Sequence, residues 1–230
     1  YFCKDFHDIT DNYSTIRNDI FNIRSEAQYL SLFPEHSDFQ ILGESSTLYL
    51  YSDEAAQEIW EFNKDAKILI MIRNPVEFMF SLYLHYKHNL RENQDTFEEA
   101  LAMETRRKDY DCIPSTVAFP PKLYYREQAK FDRHVKKFID RFPTSQIKVV
   151  LLENLKKNPK KTYSNVLSFL GVRSHSPDLS VHNKSNAVKN RFLQYLTLTV
   201  TRGLSYIPIK KLVPLRLRRK IGQHIMSLST

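Results

Sequence analysis

KILIMIRNPVEFMFSLYLHYK, residues 67 to 87, decides the fold. Ile68 to Ile72 is an uninterrupted apolar run rich in β-branched side chains, as expected of a strand buried on both faces. Arg73-Asn74-Pro75 ends the run. Proline keeps the residue before it out of the helical region and is well accepted in the first turn of a new helix. The order is therefore strand, turn, helix, with the helix running from Val76 and Ser81 about two turns in. A guanidinium at the strand's end and a hydroxyl on the helix then face one crevice at the carboxyl edge of a parallel sheet, where open α/β sheets bind ligands. Taken alone, an arginine in that place is equally a surface residue or half of a structural ion pair.

Upstream, residues 1 to 13 mix Phe2, Phe6 and His7 with Asp5, Asp8 and Asp11, and His7 reads as a surface or loop histidine. Residues 25 to 33 predict a short amphipathic helix capped by Ser25, with Tyr29, Leu30 and Phe33 at helical spacing. Residues 39 to 46, FQILGESS, read as a brief strand ending in a polar turn whose hydroxyls either bind an anion or cap the next helix. A helix over residues 52 to 63 carries the chain into the 68–72 strand, so a β-α-β crossover with parallel strands is expected.

Downstream, Thr96 and Glu99 form a capping-box pattern for a helix to about Arg107, and residues 108 to 121 form a loop with three prolines. Residues 123 to 142 predict one amphipathic helix, with Phe131, Val135, Phe138 and Ile139 on one stripe and solvated Lys130, Arg133, Lys136 and Lys137 on the other. QIKVVLL, residues 146 to 152, is a second buried-type strand closed by an acidic turn at Glu153. A basic turn around Pro159 and a helix from Tyr163 to Leu170 follow, with Gly171 as terminator. Strands alternating with helices make the fold class α/β.

The last third is a polar loop around Lys184, then a helix bearing Lys189 and Arg191 on an apolar run. A basic amphipathic segment from Lys210 to Lys220 ends the chain. It is read as a helix packing on the core in preference to one lying on anionic lipid or glycan.

With 230 residues, 4 glycines and a formal charge of +8, the chain reads as one domain over residues 1 to 230, and an anionic partner is favoured. Cys3 and Cys112 lie far apart with no metal-ligand spacing, so the sequence suggests neither a zinc site nor a disulfide framework; a reducing, cytoplasmic setting fits, with one Cys3–Cys112 bridge as the open alternative. No apolar run reaches the roughly 20 residues of a membrane-spanning helix. The absence of an initiator methionine leads us to expect a fragment, and the family resemblance described next implies truncation at both ends.

Four segments together resemble the sulfotransferase family that uses 3′-phosphoadenosine 5′-phosphosulfate (PAPS), in particular its bacterial and heparan-sulfate-type branch. ILGESSTLYL is similar to a Gly-Glu-(Lys or Ala)-Ser-Pro-x-Tyr segment through Gly43, Glu44, Ser46 and Tyr49. AKILIMIRNPVEFMFSLYLHY resembles the family's strand followed by Arg-Asn-Pro and a serine eight residues after the arginine. FIDRFPTSQIKVVLLENLKKNPKKTYSNVLSFLGV matches its helix, Phe-Pro, strand, acidic turn and Phe-Leu-Gly series, and VHNKSNAVKNRFLQYL resembles a loop and helix near the cofactor. The resemblance implies a three-layer fold like that of P-loop NTPases, a parallel sheet flanked by helices, with the first strand and the phosphate loop missing. It places Arg73 and Ser81 on the 3′-phosphate of PAPS, with Lys184 and Arg191 on the same nucleotide. Arginine's planar fork of donors suits phosphate oxygens.

Several positions depart from the family pattern. Ser45 stands where heparan-type members have lysine, Thr47 replaces the proline, Phe78 occupies a frequent arginine position, and Leu123 stands where glycine often precedes the tyrosine that is here Tyr125. The phosphate-gripping loop has no counterpart. By resemblance the catalytic base, a glutamate, falls about two residues before Tyr1. No catalytic residue is thus expected within this sequence, and the piece alone is expected to be inactive. The implied reaction is metal-free transfer of a sulfuryl group to a hydroxyl or amine of an acceptor, a carbohydrate or another small molecule. The alternative is a nucleotide- or acidic-glycan-binding module without catalysis. Nucleic-acid binding ranks last, for lack of any reading motif.

Overall fold

A computed structural model describes residues 1–13, 21–34 and 41–177. Lys184, Arg191 and the basic C-terminal segment lie outside them. The chain divides into two compact units, Tyr1–Leu84 with Gln94–Leu179 and His85–Asn93 with Ser180–Thr230. In the described part of the second, the chain ends a helix and turns through Leu90 at φ 53°, the Arg91 amide donating to the Tyr86 carbonyl at 2.8 Å.

The first unit is built on two strands, β1 (Ile68–Ile72) and β2 (Ile147–Leu151). They pair in parallel from Ile68 beside Ile147 to Ile72 beside Leu151. One face of this sheet packs on α3 (Ala55–Phe62) and on α8 (Phe131–Ile139). Ile70, Ala56, Val135, Phe138 and Phe142 form that core, and Ile68, Ile72 and Ile147 close around it. The other face meets α10 (Pro159–Leu170), where Lys148 lies over the Phe169 ring at 5.7 Å. Helix, sheet and helix make the three layers expected of the α/β reading. Burial on both faces holds only in part: Leu69 and Met71 remain 43% and 52% exposed. Among the described residues β1 has one strand neighbour, and nothing covers the second face at its free edge.

α4 (Pro75–His88) starts where the proline placed it. α1 (Lys4–Tyr13) puts His7 in the interior, so the surface reading of that residue is corrected: it packs on Phe21, and burial lowers its pKa. α2 (Glu26–Leu30) has the full Ser25–Gln28 capping box, as Thr96 and Glu99 do for α5 (Phe97–Ala102). α6 (Glu104–Lys108) follows as a separate turn of helix.

Residues 41 to 46 adopt no strand, and Ile41 and Leu42 are exposed; Phe39 and Gln40 fall outside the described residues. Ser46 Oγ donates to Glu44 Oε2 and caps nothing, whereas Ser52 Oγ accepts from the Ala55 amide at 3.0 Å and starts α3.

The single helix expected over residues 123 to 142 is two, α7 (Tyr125–Gln128) and α8, with a break at Ala129 and Lys130. The cause is local. The Glu127 carbonyl, which would accept from the residue 131 amide in a continuous helix, lies 2.9 Å from His134 Nε2 instead, and the Phe131 amide donates to Ala129. Phe131, Val135 and Phe138 are buried as the stripe required, while Ile139 is exposed. Lys137 is not a solvated charge: its Nζ donates to the carbonyls of Tyr51 and Ser52 and reaches Asp53 Oδ1. α9 (Leu152–Lys157) replaces the expected turn after β2, and α10 begins at Pro159 and ends at Gly171 with φ 77°.

Among the described residues no helix is long and apolar enough to cross a membrane, and no group of three or more His, Cys, Asp or Glu is placed to hold a metal. Cys3 and Cys112 are free thiols; burial pushes that of Cys3 up to about 11.

Candidate functional site

β1 delivers Arg73 to the carboxyl end of the sheet, and Asn74 converts the strand into a helix. Asn74 Oδ1 accepts from the amides of Val76 and Glu77 at 2.9 and 3.2 Å, and its carbonyl accepts from Phe78 at 2.9 Å. That is an N-cap for α4, satisfying amides that have no intrahelical partner. Pro75, lacking an amide hydrogen, fits between them.

Arg73 folds over this first turn. Its Nη2 donates to the Glu77 carbonyl at 3.0 Å and the Phe78 carbonyl at 3.4 Å, and the guanidinium stands 5.8 Å from the Phe78 ring centre. One nitrogen is used in positioning. Nη1 and Nε make no hydrogen bond among the described residues. Ser81 lies one turn beyond Glu77, on the same side of α4 by the i, i+4 relation, with an exposed hydroxyl. Both residues therefore belong to one strand-turn-helix unit. A fork with unengaged donors suits a phosphate dianion, and a hydroxyl on the same side of the helix can add a further donor.

Sequence reasoning missed Glu153. It treated this residue as part of a turn closing β2, yet its Oε1 accepts from the Asn74 amide at 2.8 Å. Two backbone amides, that of Asn74 foremost and its own, hold the carboxyl below the ordinary glutamate range, helped by Lys156 and Arg73. The contact arises from the parallel pairing, which sets Ile72 beside Leu151 and brings the two strand ends level; nothing local in the sequence signals it.

The first resemblance segment gathers at the start of the chain. The Tyr1 nitrogen donates to Tyr49 Oη at 3.2 Å, and the rings of Phe2 and Tyr49 meet edge to face. Burial, aided by Glu44, raises the Tyr49 hydroxyl pKa. Tyr125 is fully buried and serves packing. Lys184 and Arg191 fall outside the described residues.

A separate cavity of about 200 Å³ lies between Phe6, Leu48, Tyr51, Phe119 and His134. Among the described residues, neither Arg73 nor Ser81 lines it. The carboxylates that line it are paired within the protein, Glu127 with Lys108, Lys130 and Arg133, and Asp53 with Lys137.

The family described as "Sulfotransferase domain" matches residues 55–205. A crystal structure of a sulfotransferase from Alicyclobacillus acidocaldarius superposes with a TM-score of 0.63 at 30% identity, over 87% of this chain and 76% of that one. The chain is 26% identical over 154 residues to bifunctional heparan sulfate N-deacetylase/N-sulfotransferase 4 of Mus musculus, and 26% identical over 149 residues to human heparan sulfate glucosamine 3-O-sulfotransferase 3B1. Each match takes in 64% of this chain, but only 16% and 35% of those relatives. With a strand, an Arg-Asn-Pro turn and a capped helix in a three-layer α/β unit, the chain belongs to the sulfotransferase family.

Proposed function

We propose that this chain binds the 3′-phosphate of PAPS and belongs to an enzyme that transfers a sulfuryl group from PAPS to a hydroxyl or amine of a carbohydrate acceptor. The observation that carries this is Arg73: a guanidinium anchored through one nitrogen over the first turn of α4, with its remaining donors unengaged among the described residues, in a chain of the sulfotransferase family. When bound, PAPS supplies the sulfuryl group. Arg73 and Ser81 hold its 3′-phosphate, so that their work is orientation of the donor, and Lys184 and Arg191 complete the same nucleotide site. A carbohydrate acceptor is supported by relatives whose names specify heparan sulfate and its glucosamine.

Calorimetric titration of the full-length protein with adenosine 3′,5′-bisphosphate tests the reading. Arg73→Ala is expected to weaken binding at least about tenfold, the worth of a hydrogen-bonded charge. Equal affinity in the two proteins overturns the assignment.

A further inference from the structure

We propose that Glu153 is the positioning residue for Arg73, acting by holding the peptide group that joins Arg73 to Asn74. This rests on the reading of Arg73 as the ligand of the 3′-phosphate.

The amide that Glu153 Oε1 accepts, at 2.8 Å, is that of Asn74. Its nitrogen belongs to the Arg73–Asn74 peptide, so fixing it fixes the plane from which the Arg73 side chain departs. The same Asn74 caps α4 through Oδ1, and Arg73 is steered by the carbonyls of Glu77 and Phe78 in the first turn of that helix. Glu153 is thus the anchor of a chain of contacts running through Asn74 to the start of α4 and back to the guanidinium. The anchor comes from the neighbouring strand: β2 ends level with β1, and Glu153 lies in the first turn of α9, where a carboxylate is favoured by the helix dipole.

Charge alone argues against a carboxylate here. An anion close to Arg73 opposes an incoming phosphate, only partly screened by solvent. The geometric and electrostatic effects of Glu153 therefore have opposite signs for phosphate binding, and two substitutions separate them. Glu153→Gln keeps an oxygen able to accept from the Asn74 amide and removes the charge. Glu153→Ala removes both.

The full-length protein and its Glu153→Gln, Glu153→Ala and Arg73→Ala variants are titrated with adenosine 3′,5′-bisphosphate and with adenosine 5′-phosphate, which lacks the 3′ group. Glu153→Ala is expected to bind the bisphosphate about tenfold more weakly with its affinity for the monophosphate unchanged. Glu153→Gln is expected to bind the bisphosphate at least as tightly as the parent. If Glu153→Ala matches the parent while Arg73→Ala loses affinity, positioning by Glu153 is refuted and the Arg73 reading stands. Parental affinity in Arg73→Ala removes the reading beneath it. Equal losses for both nucleotides in Glu153→Ala, or a Gln variant as weak as the Ala one, also refute the inference, the first by showing a general structural role and the second by showing that the charge mattered.

Discussion

Lys67, the residue before β1, donates from Nζ to the carbonyls of both Phe169 and Leu170, at 2.8 Å each. These carbonyls end α10, where no intrahelical amide reaches them, and a cation there is favoured by the helix dipole. A side chain that looks in sequence like a solvated flank of the strand therefore ties the last described helix to the first strand. The contact spans about a hundred residues of chain, and it fastens the helix that shields one face of the sheet.

Lys67→Met keeps most of the aliphatic stem and removes the donor. It is expected to lower stability by about 1 kcal/mol, read as a shift in the urea midpoint with an unchanged slope. A parental midpoint would mean that water satisfies the two carbonyls equally well.

Ser52 joins α1 to the start of α3. It is fully buried; its Oγ donates to Asp5 Oδ1 at 2.6 Å and accepts from the Ala55 amide at 3.0 Å, while the Asp53 amide donates to Asp5 Oδ2 at 3.0 Å. Ser52→Ala is expected to cost about 1–3 kcal/mol, combining a lost cap with a buried bond. In a double-mutant cycle with Asp5→Ala the two losses should sum to more than the double variant shows, because they remove one network. Strict additivity would contradict the network.

Acid sensitivity should come from the helix break at Ala129 and Lys130. Hydrogen bonding from Lys130, then from Lys108, takes the Glu127 carboxyl from the usual 4.5 to about 2, against the effect of burial. A carboxylate whose folded pKa is depressed contributes stability above the unfolded value and loses it as pH falls toward the folded one. The fold should therefore weaken between about pH 4.5 and 2, and Glu127→Gln should flatten that part of the stability profile. His134 adds an earlier loss. Burial lowers its pKa below 6.5, so the unfolded chain takes up the proton first and stability declines as pH falls through that value. His134→Phe should flatten this upper limb, to which His7, lowered likewise by burial, also contributes; chemical denaturation at a series of pH values reads both.

Ser81→Ala should act on ligand binding alone. The hydroxyl is exposed on α4, so the melting temperature is expected to stay at the parental value. Affinity for adenosine 3′,5′-bisphosphate should fall several-fold, less than with Arg73→Ala, because a neutral donor contributes less than a charged fork. An effect equal to that of the arginine substitution would reverse their order of importance.

The local units were legible because their causes are local. Ile68 to Ile72, Pro75, the Ser25 and Thr96 capping boxes and Gly171 each state a backbone preference within a few residues, and all of them hold. Two expectations failed because a contact from elsewhere in the chain had won: His7 is interior because α1 turns it onto Phe21, and Lys137 is drawn from the polar stripe by the carbonyls of Tyr51 and Ser52. The long helix fails for a local reason that periodicity does not read, a side chain, His134, taking the Glu127 carbonyl.

The candidate site divides in the same way. Sequence by itself placed Arg73 and Ser81 on one strand-turn-helix unit, since eight residues across a proline-marked helix start leave little freedom in where the two can lie. It could not show that Glu153, distant in sequence, grips the Arg73–Asn74 peptide, because that bond exists only once β2 pairs in parallel with β1 and brings the two strand ends level. Periodicity and turn chemistry act along the chain; register between strands is fixed by the packing of Ile68, Ile70, Ile72 and Ile147 on α3 and α8, and only the tertiary structure supplies it.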